Sequence, residues 1–232
     1  MKATTAADEG ARTRVVGVIS RESDWEQLAQ QAELPCDWVE LRLDALPPAA
    51  RLLPLSSPCR KPLLLTPRHI SEGGLCEWTE EERVEAARRL LPAAAALDWE
   101  IAQLGSAQEL LAEARARGVL IVASAHYFHG MPGLAEMQQL ELAAKAAGAH
   151  IVKIAFTPAD EAQMAVGVDF LQLPRQGMRA AVMGMGPLAA ASRALYTRHG
   201  SALLYGYLGS TPTAPGQLSA QQCMQMRASE QP

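Results

Sequence analysis

The sequence predicts an α/β protein, and specifically a closed (β/α)8 TIM barrel that occupies residues 14–232 as one domain. Short apolar segments typical of buried strands alternate with helical segments, and no change in composition marks a linker. Such alternation requires a parallel sheet covered by helices, and eight units in 232 residues suit a closed barrel. An open doubly wound sheet is the competing architecture. However, no G-x-G-x-x-G follows the first strand, and no G-x-x-x-x-G-K-S/T occurs.

The eight predicted strands are apolar or alternating segments. They span residues 15–20, 38–44, 61–68, 97–101, 119–125, 151–156, 178–185 and 202–208. Helices are predicted over 24–32, from 80 onward, over 106–117, 132–147 and 158–171, through 193, and from 219 onward. Thr79 is a suitable N-cap before three acidic residues, and Gly118 and Gly148 end their helices. The segment after the second strand has no clear pattern.

Composition and charge exclude several classes of protein. The chain is 49% hydrophobic and 20% charged, with a formal net charge of -4, so it lacks the electrostatic signature of a nucleic-acid or anionic-membrane binder. No apolar run approaches the ~18 residues of a membrane span. Residues 1–13 are polar and predict a flexible leader without a signal peptide. We therefore expect a cytoplasmic protein that acts on a small molecule.

The cysteines are scattered without C-x-x-C spacing, which argues against a disulfide framework and a structural zinc site and favours a reducing compartment. They are Cys36, Cys59, Cys76 and Cys223. His, Cys and carboxylate side chains show no ligand spacing either, so neither a metal nor a cofactor is expected.

A lysine interrupts a strand that is otherwise suited to complete burial. In residues 151–156, Val152, Ile154 and Phe156 form an apolar face that suits packing under a helix, whereas Lys153 lies on the opposite face. Burial favours the neutral form of an amine, which is a nucleophile. The alternative interpretation is a lysine paired with a buried carboxylate.

Four other predicted strands carry polar side chains on one face. In a parallel barrel the apolar face lies under the helices, so the polar face turns inward and lines the mouth where active sites form. These side chains are Glu40, Arg42, Asp44, Thr66, Arg68, Asp98, Glu100, Ser124 and His126. Asp44, Asp98 and Glu100 also fit a structural role as partners of buried arginines. His126 shares the mouth with Lys153, which favours acid/base chemistry.

Six segments together resemble type I 3-dehydroquinate dehydratase, the Schiff-base-forming dehydratase of the shikimate pathway. They are 40–44 (ELRLD), 66–68 with 72–74 (TPR and EGG), 124–128 (SAHYF), 152–155 (VKIA), 185–186 with 192–193 (MG and SR), and 213–217 (TAPGQ). They follow the family's order over roughly residues 15 to 226. The resemblance implies a barrel enzyme of chorismate and aromatic amino acid biosynthesis, and a homodimer.

The resemblance also implies the reacting groups. Lys153 is the amine that condenses with the C3 ketone of 3-dehydroquinate, His126 is the general acid/base that completes formation of 3-dehydroshikimate, and Glu72 orients the imidazole. Arg193 clamps the substrate carboxylate, for which a planar cation is suited. Other positions hold hydroxyls (Glu40, Arg42 and Arg68), lie in a loop that closes over the substrate (Thr213 and Gln217) or end the first strand (Ser20).

Five positions depart from the family pattern, and they bear on substrate fit and turnover rather than on the reacting groups. They are Leu41 for an aromatic residue, Pro67 for Phe, Tyr127 for Asp, Ala189 for Gly and Thr213 for Ser.

Two other functions stay open at this point. A class I aldolase acting on a small keto acid or a sugar phosphate also uses a barrel lysine, and Gly184 and Gly186 are compatible with phosphate binding. A catalytically impaired barrel that acts as a binding module is the other.

Overall fold

Strands and helices alternate along the chain, as the sequence predicts. The computed structural model describes residues 12–28, 31, 33–56, 59–209 and 217–230. Within these residues the strands β1 to β8 are, in order, Arg14–Ile19, Trp38–Arg42, Leu63–Thr66, Ala96–Glu100, Leu120–Tyr127, Ile151–Phe156, Arg179–Gly184 and Leu203–Tyr207. The helices α1 to α8 are Glu22–Leu28, Leu53–Ser56, Glu80–Leu90, Gln108–Ala116, Leu134–Ala146, Glu161–Gln172, Ala189–Arg198 and Ala220–Glu230.

The strands form one parallel sheet that curls into a nearly closed barrel. They pair in the order β7-β6-β5-β4-β3-β2-β1-β8. The two end strands, β7 and β8, approach each other near the start of β8. There Ala202 N donates to Ala180 O at 2.8 Å, and Val182 N donates to the Ser201 hydroxyl at 3.0 Å. These contacts confirm the (β/α)8 barrel and exclude the open sheet.

Local signals in the sequence set several helix ends. The Thr79 hydroxyl accepts a hydrogen bond from the backbone N–H of Glu82 at 3.2 Å, and the Glu82 side chain accepts one from Thr79 N at 2.9 Å. This capping box begins α3 where the sequence predicts it. Gly118 follows α4 with a φ of 76°, a left-handed conformation that ends the helix.

Several predicted boundaries move by two or three residues because side chains bind backbone groups. The third strand is predicted over 61–68 but ends at Thr66, and beyond it Arg68 N donates to Asp44 Oδ1 at 3.3 Å. Helix α6 begins at Glu161 rather than at residue 158, because Asp160 caps it by accepting from Gln163 N at 2.9 Å. Helix α1 begins at Glu22, and residues 29, 30 and 32 of its predicted span lie outside the described residues.

The predicted leader also lies largely outside the described residues, which begin at residue 12. Its last residue, Thr13, is buried, and its hydroxyl donates to Ser201 O at 2.7 Å. Thr13 is therefore attached to the start of the β8 segment.

Side chains of the strands separate into two layers, as the alternation predicts. Val152, Ile154 and Phe156 pack in the outer layer between sheet and helices. The amino-terminal half of the barrel interior is filled by a second apolar cluster: Val16, Val18, Trp38, Leu64, Ala96, Val122, Ile151, Ala181, Leu203 and Tyr205 with their neighbours. Above it the interior is polar yet buried, with Glu40, Thr66, Asp98, Glu100, Ser124 and Lys153. The fold therefore brings charged groups together where little water reaches them.

Within the described ranges, no helix has both the length and the apolar character needed to cross a bilayer. The same ranges contain no group of three or more His, Cys, Asp or Glu side chains arranged to hold a metal ion. All four cysteines are free thiols.

Candidate active site

Lys153 lies inside the barrel in the middle of β6, and only 3% of it is exposed. Its Nζ donates a hydrogen bond to Asp98 Oδ2 at 2.8 Å and lies 4.5 Å from the centre of the Tyr205 ring. The lysine is therefore buried and paired with a carboxylate, as the alternative interpretation of the sequence predicts.

Asp98 binds three donors at once. Besides Lys153, it accepts from Arg68 Nη2 at 2.9 Å and from the Ser124 hydroxyl at 2.6 Å. Burial opposes ionisation of this carboxyl, but the charges of Arg68 and Lys153 outweigh it and hold the pKa of Asp98 below its usual range. Asp98 is thus a fixed carboxylate beside the lysine.

Arg68 connects the lysine to a second buried carboxylate. Its Nη1 donates to Glu100 Oε1 and to the Ser124 hydroxyl, each at 2.7 Å. Glu100 also pairs with Arg83. The guanidinium carbon of Arg83 lies 3.9 Å from the centre of the Trp99 ring, and its Nε donates to Pro67 O at 2.6 Å. Glu100 therefore ties the strand β4 to α3, which fits the structural interpretation of this residue.

His126 and Glu72 form the predicted pair. His126 lies at the end of β5, and its Nδ1 is 2.8 Å from Glu72 Oε2 in the loop after β3. Their strands and loops meet because β5 pairs with β6 in a register that sets Ser124 beside Lys153 and His126 beside Ala155. His126 and Lys153 therefore point into the same interior from neighbouring strands.

In both members of this pair the pKa is shifted in the direction that favours the uncharged form. Burial, together with the positive charges of Arg68 and Lys153, lowers the pKa of His126 well below its usual value. Burial, with the negative charges of Glu100 and Asp98, raises the pKa of Glu72 to about 7. The pair at neutral pH is thus a neutral imidazole bonded to a carboxyl that titrates near 7, rather than a fixed ion pair.

Glu40 and Arg42 lie on the inward face of β2, next to this cluster. Glu40 accepts a hydrogen bond from the Thr66 hydroxyl at 2.8 Å. Arg42 Nη2 pairs with Asp44 at 2.7 Å and donates to Gly73 O at 3.1 Å, which joins the β2 loop to the loop that carries Glu72. Asp44 also accepts from Leu75 N at 3.1 Å, so this carboxylate is structural.

Arg193 lies apart from the hydrogen-bonded cluster. It is on α7, 9% exposed, and among the described residues its Nε and Nη1 have no hydrogen-bond partner. Burial lowers its pKa. No hydrogen bond or ion pair between described residues links it to Lys153. A buried guanidinium with unused donors is suited to an anionic ligand.

The remaining predicted site residues are less well defined by contacts. Ser20 follows β1 directly and is half-buried. Gln217 is half-buried and begins the last described range, whereas Thr213 lies outside the described residues.

The departures from the family pattern also find places in the fold. The Tyr127 hydroxyl donates to Glu136 Oε1 on α5 at 2.8 Å, and Leu41 packs in the outer apolar layer. Pro67 supplies the carbonyl that Arg83 binds, and Ala189 begins α7. These four residues thus support the site from outside it.

Sequence reasoning gives Asp98 only a structural role as a partner of buried arginines, gives Ser124 no role beyond a polar inward face, and passes over Tyr205. All three contact or flank Lys153 in the structure. Tyr205 had one available signal, since it shares the inward face of β8 with Leu203 two residues earlier.

The fold and this cluster define a class of protein, a (β/α)8-barrel enzyme with its ionisable groups inside the barrel. The sequence model of type I 3-dehydroquinase matches residues 15–231. The 3-dehydroquinate dehydratase of Methanothrix thermoacetophila is 32% identical to this chain over 215 residues, which cover 92% of this chain and 91% of that protein. The chain therefore belongs to the type I 3-dehydroquinase family, carbon–oxygen lyases of the shikimate pathway.

Solved structures agree with this assignment. The 3-dehydroquinate dehydratase of Enterococcus faecalis is 25% identical, with a TM-score of 0.79 and coverage of 94% of each chain. The type I enzyme of Clostridium difficile shares the fold at 20% identity, with a TM-score of 0.82 over 94% of this chain and 92% of the other.

Proposed function

We propose that this enzyme eliminates water from 3-dehydroquinate to give 3-dehydroshikimate, with Lys153 as the amine that bonds to the substrate. The observation that carries this proposal is Lys153 itself, buried at 3% exposure and oriented by Asp98 at 2.8 Å. Family membership supports the reaction, and the neighbouring His126–Glu72 pair supports its acid/base step.

The first step is formation of an iminium. The Nζ–C3 bond forms as the C3–O bond breaks: of the three protons on the Lys153 ammonium, two leave with the carbonyl oxygen as water and one stays on the iminium nitrogen. The positive charge of the iminium then acidifies the neighbouring C–H. Because Asp98 remains ionised, its role is to position Nζ and to balance positive charge rather than to take the proton.

His126 carries the proton through the elimination. The neutral imidazole accepts the proton from carbon and then returns it to the departing hydroxyl, as general acid/base groups do. Ionised Glu72 accepts the Nδ1–H of the ring and leaves Nε2 as the base, the tautomer that this step requires. Hydrolysis of the product iminium regenerates the lysine.

The other predicted residues hold the substrate. Arg193 binds its carboxylate, for which the unused Nε and Nη1 donors are suited. Hydroxyl contacts come from β2 and the end of β3, and the segment after β8 closes over the site. The residues concerned are Ser20, Glu40, Arg42, Arg68, Thr213 and Gln217.

In the proposed enzyme, residues 14–232 form one catalytic domain, and Thr13 is attached to it. It works in the cytoplasm as a homodimer, without cofactor, metal, nucleic acid or membrane.

Reduction with borohydride in the presence of 3-dehydroquinate tests the covalent step. We expect a stable adduct that peptide mass mapping locates on Lys153 and that is lost in Lys153→Ala. Lys145→Ala is the matched control, because Lys145 is exposed on α5, in the helix layer outside the barrel. An adduct that persists in Lys153→Ala would refute the assignment.

Replacement of the imidazole tests the second step. In His126→Ala we expect the adduct to form while the release of conjugated product falls by ~10² to 10⁴-fold. The exposed neighbour His129→Ala should behave as the unchanged protein does. Unchanged turnover in His126→Ala would falsify the acid/base role. Binding without any conjugated product in the unaltered enzyme would favour a binding module, and cleavage of a sugar phosphate would favour an aldolase.

A further inference from the structure

Tyr205 is an inward-facing residue of β8 to which the reaction described above assigns no role. It is 6% exposed, and it pairs in register with Val16 of β1. Its ring lies against the reactive amine, with Lys153 Nζ 4.5 Å from the ring centre. Any substrate bonded to Nζ therefore lies beside this side chain.

The hydroxyl of Tyr205 is buried and has no hydrogen-bond partner among the described residues. Buried polar atoms in proteins are nearly always paired, and leaving one unpaired costs about 1–3 kcal/mol. The carboxylates that act on it electrostatically are already occupied: Asp98 by three donors, and Glu40 by the Thr66 hydroxyl. Among the described residues, the Tyr205 O–H donor therefore has no acceptor.

The phenol is also in the form that donates. Burial, with the negative charges of Glu40 and Asp98, raises the pKa of Tyr205 well above its usual value, so the O–H keeps its proton. An uncharged donor beside the amine suits an uncharged oxygen of the ligand better than its carboxylate, for which Arg193 has unused charged donors.

We propose that Tyr205 is a substrate-binding residue, and that its hydroxyl donates a hydrogen bond to a hydroxyl oxygen of the keto acid held on Lys153. This rests on the proposed function, which places that substrate in the barrel. The bond selects for a ring that carries a hydroxyl at the contacted position, so Tyr205 contributes to specificity rather than to proton transfer.

Tyr205→Phe tests the hydroxyl while keeping the ring. We expect KM for 3-dehydroquinate to rise roughly 3- to 10-fold, the effect of one neutral hydrogen bond, with kcat changed less than about twofold. Because the lost hydroxyl has no hydrogen-bond partner among the residues that the structure describes, the melting temperature should not fall. Tyr196→Phe is the matched control: its hydroxyl donates to Met164 O at 3.2 Å in the helix layer. That variant should melt a few degrees lower with KM unchanged.

Substrate analogues that each lack one ring hydroxyl other than the expelled one give the second readout. The unaltered enzyme should discriminate against one of them by roughly 3- to 10-fold, and Tyr205→Phe should lose that discrimination. An unchanged KM in Tyr205→Phe, or discrimination that persists in it, would overturn the proposal. Borohydride trapping separates the two hypotheses: an adduct on Lys153 in Tyr205→Phe leaves the proposed function intact whatever KM does, and its absence from the unaltered enzyme refutes that function.

Discussion

Two buried arginines differ sharply in what surrounds them. Arg68 is 4% exposed and Arg193 is 9% exposed, so both guanidinium groups are removed from water. Arg68 donates to Asp98, Glu100 and Ser124, whereas the Nε and Nη1 of Arg193 have no partner within the described part of the chain. Although burial opposes it, the nearby carboxylates raise the pKa of Arg68, while burial lowers that of Arg193.

This contrast shows that the burial of a charged side chain does not by itself reveal its role. A buried cation that pairs with two buried carboxylates belongs to the framework, because removing it leaves those carboxylates without compensation. A buried cation with unused donors reduces stability until an anion arrives, so it is better suited to a ligand. Arg68 thus maintains the network around Lys153, besides its proposed contact with a substrate hydroxyl, and Arg193 keeps the donors that suit its proposed contact with the substrate carboxylate.

Arg68→Met should produce the largest change, because it leaves Asp98 and Glu100 with unbalanced buried charge. We expect the free energy of unfolding to fall by about 3–5 kcal/mol in urea titrations. Arg198→Met is the control: Arg198 pairs with Glu230 at the surface, where an ion pair contributes less than about 1 kcal/mol. Equal losses in the free energy of unfolding of the two variants would mean that Arg68 has no special role in the framework.

Arg193→Met should change substrate binding instead of stability. Loss of hydrogen bonds from a charged donor should raise KM roughly 10- to 100-fold, with no decrease in the free energy of unfolding. Arg193→Lys should restore binding only in part, because an ammonium lacks the planar fork. Steady-state kinetics and urea titration on the same samples measure both effects. A large loss of stability with KM unchanged would assign Arg193 to the framework as well.

The pH dependence of kcat/KM distinguishes the His126–Glu72 pair from the hydrogen-bonded network around Arg68. Since the pKa of Glu72 is raised to about 7, the carboxyl becomes protonated as the pH falls below 7 and then donates to Nδ1. The ring proton moves to Nε2, and the base is lost. We expect kcat/KM to fall about tenfold per pH unit below 7, although His126 itself stays neutral there.

Glu72→Gln is the test of this assignment, because an amide accepts from Nδ1–H but does not titrate. Its activity should be lower at pH 8 and should lack the inflection near 7. If that inflection persists, another group controls the profile.

Ser124→Ala should give the smallest change of this series. The hydroxyl bridges Arg68 and Asp98, at 2.7 and 2.6 Å, but each of those charges retains other partners. We expect a loss of about 1 kcal/mol in the free energy of unfolding. A loss as large as that of Arg68→Met would mean that the serine, rather than the arginine, organises the network.

Sequence reasoning located the inward charges and the kind of partner each needs, but not which groups pair with each other. Alternation along β4 places Asp98 and Glu100 on one face, two chemically similar side chains two residues apart. The strand register sets Ser124 beside both Glu100 and Lys153. Lys153 nevertheless binds Asp98, and Glu100 pairs with Arg68 and Arg83, so only the tertiary structure shows which carboxylate meets the lysine. Likewise, the sequence allowed Asp44 to pair with an arginine but offered no sign that this arginine is Arg42, or that Arg42 also donates to Gly73 O.

From periodicity and family motifs, which are local properties of the chain, the sequence predicted the barrel and the inward turn of its charges, and the structure confirms both. The roles of His126, Glu72 and Lys153 as reacting groups stay a proposal from the family motifs. Only the tertiary structure decided which cation is saturated and which is unpartnered, that Glu72 titrates near 7, and that Tyr205 flanks the amine. The physical reason is that desolvation and hydrogen bonding depend on distances of a few ångströms between groups remote in sequence. Such distances are set by how strands are registered around a closed barrel.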